Sequence, residues 1–496
     1  MRYPVLTAEE AIGLIHHGDT VAIGGFSSVG TPKAIPAALA AYAAEANRDE
    51  VTFQIGLVTG GATGSQIDSA LAKARAVRFR TPFQSNPDMR RAINAGEVEY
   101  YDLHLSHIGQ DVNYGFLGRI HTAIIEASAI TPEGRIILST SVGITPTIVR
   151  AAEQIIVELN QSHGDRLEGM HDLYTLETPP YRQHIPIFHV NDRTGSPYLD
   201  VDPSKIAGVV YTNERDHIAP FTPLNDTTRR IGQNVASFLL QEWQKGGIPR
   251  QFLPLQSGVG NIANAVLGAL GADPNLPAFS MFTEVIQNSV IDLMLEGRIR
   301  FATGSSLTLS EDHLDLMYDH LDVFRDRILL RPQEITNHPE MIRRLGVITI
   351  NTALEADLFG NINSTHVMGS KIMNGIGGSA DFARNAYLSV FTTPSTAKDG
   401  LISSIVPNVS HVDSTEHDVR ILVTEQGVAD LRGKSPRQHA ACIIENCAHP
   451  DYKELLWDYL KLSENRTGHI PFSLKNAFRM HQTFVEEGDM RKTRYI

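Results

Sequence analysis

The sequence predicts an α/β protein made of two similar α/β domains with mainly parallel sheets. Three observations predict it. Short apolar runs alternate with helix-length, alanine-rich segments. Several of those runs end in glycine turns, as buried strands of parallel sheets do. The order of these pieces then recurs in the second half of the chain.

Taken in order, Thr7-Ala8-Glu9-Glu10 has the form of a capping box and opens a first helix. Thr20-Val21-Ala22-Ile23-Gly24-Gly25 reads as a strand entering a glycine turn, with a helix over the alanine-rich stretch 36–46. Residues 51–58 read as a strand running into Gly60-Gly61-Ala62-Thr63-Gly64, and 65–74 as the following helix. Residues 136–139 and 155–159 read as buried parallel strands.

The recurrence is specific. Ala22-Ile23-Gly24-Gly25-Phe26 before a helix resembles Leu255-Gln256-Ser257-Gly258-Val259-Gly260 before 261–270. Residues 134–143 parallel 360–369, and Ile155-Ile156-Val157-Glu158 parallels Arg420-Ile421-Leu422-Val423-Thr424-Glu425. Two diverged copies of one unit are therefore expected. The polar, proline-bearing stretch 178–228 holds the connection, with a boundary near Asp226 and domains 1–225 and 226–496. Open α/β sheets bind ligands beyond the carboxyl ends of their strands, which predicts an active site in the cleft between the domains.

At 496 residues the chain exceeds one ordinary core. A formal charge of −13 excludes a general nucleic-acid surface, which needs clustered Lys and Arg. No apolar stretch approaches the ~20 residues that span a bilayer, so no membrane partner is expected and the expected location is cytoplasmic. Cys442 and Cys447, five apart on a predicted helix, point in different directions and read as packing residues. His104, His107, His366 and His411 are too dispersed for a recognisable ligand pattern, and no metal site is expected.

Three stretches and three single residues are candidates for chemistry. Gly258-Val259-Gly260-Asn261-Ile262 follows an apolar run and opens a helix, where bare N–H groups can meet a thioester or a phosphate. It lacks the third glycine of a dinucleotide fingerprint and the Lys-Ser/Thr ending of a phosphate loop, so without the repeat tight strand-to-helix turning is the better reading. Asn374-Gly375-Ile376-Gly377-Gly378-Ser379-Ala380-Asp381 is more telling, because adjacent Gly377 and Gly378 lose much conformational freedom unless backbone must approach something closely. Asp381 reads there as a helix cap. Glu284, straight after the apolar run 277–282, places a carboxylate at a strand end, where such folds hold reacting groups; a surface carboxylate is the bland alternative. Asn337, Lys398 and Glu425 each pass equally as loop residues.

Together, these stretches resemble the acetyl-CoA hydrolase/transferase family, a branch of the class I coenzyme A transferases that includes succinyl-CoA:acetate CoA-transferases. The likeness runs over nearly the whole chain. Its most specific pieces are residues 255–266, Phe282-Thr283-Glu284-Val285, 355–367, 374–387 and 423–433. The resemblance implies that Glu284 is the catalytic glutamate, that residues 258–262 (Gly258, Val259, Gly260, Asn261, Ile262) form the acyl-CoA loop, and that Asn337 stabilises an oxyanion. It further implies that Asn374, Gly378 and Lys398 contact coenzyme A, that the Gly378 N–H faces the acyl or carboxylate oxygen, and that Glu425 is a supporting acid. Expected partners are a short-chain acyl-CoA and a carboxylate, foremost acetate, with coenzyme A as substrate, no tightly bound cofactor and a homodimeric assembly. Some members carry an arginine near residues 216–221, where this chain has His217 and Ile218, which bears on how a second carboxylate is held. Three functions follow: CoA transfer through a glutamyl-CoA thioester, hydrolysis of acetyl-CoA at the same residues, or a non-catalytic acyl-CoA sensor.

Overall fold

The computed structural model describes residues 3–48, 51–218, 223–464 and 468–496. The segment 216–221 therefore lies partly outside the described residues. The chain forms two compact units: Met1–Pro220 with Ser280–Leu345 and Asn374–Asp381, and Phe221–Phe279 with Gly346–Met373 and Phe382–Ile496. These units interleave along the chain, so they differ from the two sequence halves separated near Asp226.

The first unit holds strands β1 (Thr20–Ile23), β2 (Ile55–Thr59), β3 (Val77–Thr81), β4 (Glu99–Tyr100), β5 (Thr122–Ile130), β6 (Ile136–Leu138), β7 (Gln154–Asn160) and β8 (Ile206–Thr212). They are ordered β4-β3-β2-β1-β5-β7-β8, all parallel, with β6 antiparallel on β5. β1 is buried along its whole length, which is why it reads as a continuous apolar run. The helix Ala34–Arg48 turns Ile35, Leu39 and Ala43, a four-residue spacing, into the core that β1 and β2 line. The capping box at Thr7 and Glu10 is formed.

Three expectations change here. Residues 136–138 form a strand, but an antiparallel one: the connection from β5 is a tight turn at Gly134, closed by the Thr131 N–H donating to Arg135 O at 2.8 Å, and it is too short for a parallel crossover. The connection 178–228 contains β8, whose apolar run Ile206-Ala207-Gly208-Val209-Val210 pairs with β7. The predicted helix over 65–74 begins as a wider π turn, Ser65–Ser69, before the α-helical Ala70–Lys73.

The second half of the chain carries β9 (Leu255–Ser257), β10 (Phe279–Phe282), β11 (Val285–Gln287), β12 (Ile299–Gly304), β13 (Ser306–Thr308), β14 (Ile328–Leu330), β15 (Ile348–Thr352), β16 (Leu388–Thr392), β17 (Ile421–Thr424) and β18 (Gly427–Asp430). One run is ordered β14-β12-β10; the other, in the second unit, is β9-β15-β16-β17-β18. The first-unit sheet contains the same two runs, β4-β3-β2 and β1-β5-β7-β8, so the winding repeats as the sequence suggests. The register of the repeat needs one correction. The strand equivalent to β7 is β16, and β17 takes the place of β8. Similar Ile/Leu/Val content in both strands hid the difference.

Cys442 and Cys447 are both free, on the helix Pro436–Cys447. Burial pushes the Cys447 thiol up to about 12. No helix among the described residues is long and apolar enough to cross a membrane.

Candidate active site

Glu284 occupies the short link between β10 and β11. Its main chain is fixed on both sides: the N–H of Thr283 donates to Thr303 O at 2.9 Å, and the carbonyl of Glu284 accepts from Ser305 N–H at 2.7 Å and Ser306 N–H at 3.1 Å. The backbone is thus held like a strand while the side chain projects from the strand end. Its Oε1 accepts a hydrogen bond from Asn337 Nδ2. The residue keeps some solvent contact, but the carboxylate itself is enclosed by protein, and the enclosure dominates its chemistry. Burial pushes the Glu284 carboxyl up to about 7; the Asn337 donor works against this shift and the charge of Asp381 adds to it.

Asn337 is buried at the carboxyl end of the short helix Gln333–Thr336. Thr336 Oγ1 donates to Asn337 Oδ1 at 2.9 Å, which orients the amide so that Nδ2 faces Glu284. Nδ2 also lies 3.4 Å from Asp381 Oδ2. Asp381 is buried, and burial pushes its carboxyl up to about 6 against the pull of the Ser106 donors. Two carboxylates therefore flank one amide, each carrying raised proton affinity.

The glycine loop supplies the opposing wall. A methyl group at Gly378 would overlap Glu284 Oε1 and Asn337 Nδ2 and stand 2.6 Å from Glu284 Cδ. The close approach that the paired glycines imply is therefore to the Glu284 carboxylate. Gly377 has φ +62°, and the N–H of Ile376 donates to Asp102 Oδ1 at 2.9 Å, so the loop is pinned from outside. Asn374 Nδ2 bonds to Gly375 O at 2.9 Å, bracing the loop's first turn. Glu284, Asn337, Asn374 and Gly378 all belong to the first unit.

The other expected site residues belong to the second unit. Residues 258–262 make the turn from β9 into the helix Asn261–Ala272, with Gly260 at φ +112° and Val259 exposed. Lys398 is exposed at φ +49°, its ammonium 5.0 Å from the ring centre of Phe484. The Glu425 carboxylate accepts from Ser395 N–H at 2.9 Å, from the Ser395 hydroxyl and from Gln426 Nε2 at 3.0 Å. Burial opposes its ionisation, but these donors prevail and hold it below the usual carboxylate range.

Among the described residues, Glu126, His163 and Asp216 bring three potential metal-ligand atoms within 4.8 Å of one another. The ammonium of Lys33 bonds to both carboxylates there, at 2.9 Å to Asp216, and so fills the role of the cation. His104 has its Nδ1 4.0 Å from Asp381 Oδ1, beside the active site, while His366 and His411 stack with ring centres 4.0 Å apart in the second unit.

The acetyl-CoA hydrolase/transferase N-terminal domain model matches residues 2–211, and the C-terminal domain model of the same family matches 315–460. The chain belongs to the acetyl-CoA hydrolase/transferase family. It is 49% identical over 488 residues to a succinyl-CoA:acetate CoA-transferase of Clostridium kluyveri, covering 98% of this chain and 90% of that one. It is likewise 49% identical over 485 residues to a propanoyl-CoA:succinate CoA transferase of Escherichia coli, covering 98% of each. An acetyl-CoA hydrolase of Schizosaccharomyces pombe is 43% identical, with 96% and 94% covered. The crystal structure of RipA from Yersinia pestis shares the fold, with a TM-score of 0.72 at 23% identity over 93% of this chain and 98% of that one. The chain is thus an enzyme of this family.

Asp381 is the participant that sequence reading missed. As a helix cap it was visible; its actual partner, Ser106, is 275 residues away. Nothing in the local pattern signals that pairing.

Proposed function

We propose that the protein is a CoA-transferase that moves coenzyme A between a short-chain acyl-CoA and a carboxylate, with acetate as one partner, by a ping-pong cycle at Glu284. The observation that carries this reading is the Glu284 carboxylate held against the bare backbone of Gly378 and bonded to the Asn337 amide. The Glu284 carboxylate attacks the thioester carbonyl, the C–S bond breaks, and an acyl-glutamyl anhydride and CoA thiolate form. The thiolate attacks the glutamyl carbonyl, expelling the acyl group as a free carboxylate and leaving a glutamyl-CoA thioester. A second carboxylate then repeats the steps in reverse, and the thioester bond energy is retained throughout. Asn337 and the Gly378 N–H stabilise the oxyanions, each such donor being worth about 3 kcal/mol in comparable sites. Residues 258–262, Asn374 and Lys398 bind coenzyme A, and Glu425 supports the site through its anchored loop.

The likeness to the two CoA-transferase relatives supports this activity. In this reading the two family copies are residues 1–225 and 226–496, the enzyme works as a cytoplasmic homodimer, and no tightly bound cofactor takes part. Incubation with acyl-CoA followed by intact-mass measurement tests it. The expected gain is one CoA less one water, absent in Glu284→Ala; a folded Glu284→Ala that still catalyses acetate-dependent exchange would overturn it. The name of the Schizosaccharomyces pombe relative, an acetyl-CoA hydrolase, supports a second reading, net acetyl-CoA hydrolysis by water entering the same intermediates. Equal acyl-CoA consumption with and without acetate would favour that one. A sensor would acquire no covalent adduct.

A further inference from the structure

Asp381 is the third residue of the helix Ser379–Asn385, yet its carboxylate serves another helix. Oδ2 accepts from the backbone N–H of Ser106 at 2.9 Å, and Oδ1 from the Ser106 hydroxyl at 2.6 Å. Ser106 lies in the first turn of the helix Leu105–Asn113, whose N-cap residue, His104, makes no side-chain cap. The preceding donor, Leu105 N–H, bonds to Gly377 O at 3.3 Å. The glycine loop and Asp381 together thus close two donors that a helix start leaves open.

A carboxylate anchored in this way gives Asn337 a fixed reference. The amide's carbonyl accepts from Thr336, and its NH2 group carries two hydrogens in set directions. With one N–H directed at Asp381 Oδ2, the other faces Glu284 Oε1. Rotation of the amide would break both contacts and strand its carbonyl between two carboxylates.

We infer that Asp381 is a positioning residue for the reaction: anchored by Ser106, it aims the Asn337 amide at Glu284 and sets a second negative charge beside the nucleophile. The inference rests on the reading of Glu284 as nucleophile. The titratable groups facing Asp381 are Glu284, His104 with Nδ1 at 4.0 Å, and His107, whose ring meets that of His104 edge-on at 5.5 Å between centres. The Asp381 charge disfavours ionisation of Glu284, whereas His107 favours ionisation of Asp381. Asp381 thereby tunes the pH range in which the nucleophile is available.

Two variants of the full chain test this. Asp381→Asn keeps the size and an acceptor for Ser106 but removes the charge, so the acid limb of the pH profile for covalent adduct formation should move to lower pH. Asp381→Ala removes the anchor, so kcat should fall about 10–100-fold while KM for acyl-CoA stays within about twofold. A purely structural role would lower Tm without moving the acid limb. An Asp381→Asn enzyme with the parent's limb, or an Asp381→Ala enzyme with the parent's kcat, overturns the inference. Should the alanine variant fail to fold, the limb of Asp381→Asn still decides. Glu284→Gln separates the two levels: full transfer by that variant would defeat the nucleophile reading, whereas its inactivity beside an unshifted Asp381→Asn limb defeats the positioning role alone.

Discussion

Replacing Gly378 by alanine is a steric perturbation that the structure quantifies. The added carbon would stand 2.6 Å from Glu284 Cδ and nearer still to Oε1 and Asn337 Nδ2. Carbon atoms in contact prefer about 3.5–4.0 Å, so the Glu284 carboxylate must retreat by about 1 Å or the loop must open by as much. A misplacement of about 1 Å at a reacting group costs on the order of 10²-fold in rate, and displacing the Asn337 donor costs on the order of 10²–10³-fold. The φ of Gly378 lies outside the left-handed region, so alanine suits the backbone and the fold should survive. CoA transfer in the proposed reaction, measured at saturation beside a thermal melt, should show kcat reduced about 10²–10³-fold at nearly unchanged Tm. Gly377→Ala supplies the contrast: its φ of +62° strains any L-residue by about 1–2 kcal/mol, so stability should fall as well. A folded Gly378→Ala enzyme with kcat within about threefold of the parent would refute the placement of the nucleophile against this glycine.

In the proposed mechanism adduct formation needs ionised Glu284, whose carboxyl is pushed up to about 7, so its rate should fall about tenfold per pH unit below that value; rapid-quench mass measurement that found a flat rate from about pH 5.5 to 8 would contradict this. The same raised proton affinity makes the folded protein lose stability as pH rises from about 4.5 through 7, so the Tm of Glu284→Gln should exceed the parent's at pH 8, by the equivalent of up to about 3 kcal/mol, and match it near pH 4.5; parallel Tm profiles would count against it. Asn337→Ala should lower kcat about 10²–10³-fold with little change in KM, and unaltered steady-state kinetics would remove Asn337 from the oxyanion site. Lys33→Met leaves Glu126 and Asp216 without their buried cation and should destabilise by about 3–5 kcal/mol, seen as a large fall in Tm; a parent-like melt would show that the cluster neutralises itself another way.

Much of the architecture was legible because parallel strands buried on both faces leave unbroken apolar runs, as in β1 and β2. The antiparallel β6 was not, since pairing direction depends on the length of the Gly134 turn and not on side-chain pattern. The equivalence of β16 with β7 was hidden for a related reason: Leu388–Thr392 and Ile421–Thr424 are equally apolar, and only their neighbours in the sheet tell them apart. At the candidate site, the adjacency of Gly377 and Gly378 announced a close approach, and the end of an apolar run marked Glu284 at the β10 terminus. Their meeting, and the contact between Ser106 and Asp381, arise from packing across long stretches of chain that no local spacing encodes.

The helix Leu105–Asn113 takes its N-terminal anchors from Gly377 and Asp381. During synthesis, the ribosome releases this helix long before either anchor exists. Glu284 on β10's flank likewise precedes Gly378, so a partly made chain carries this carboxylate without its glycine wall. In the proposed mechanism, reactivity therefore waits until the glycine loop has been translated and folded back against Glu284.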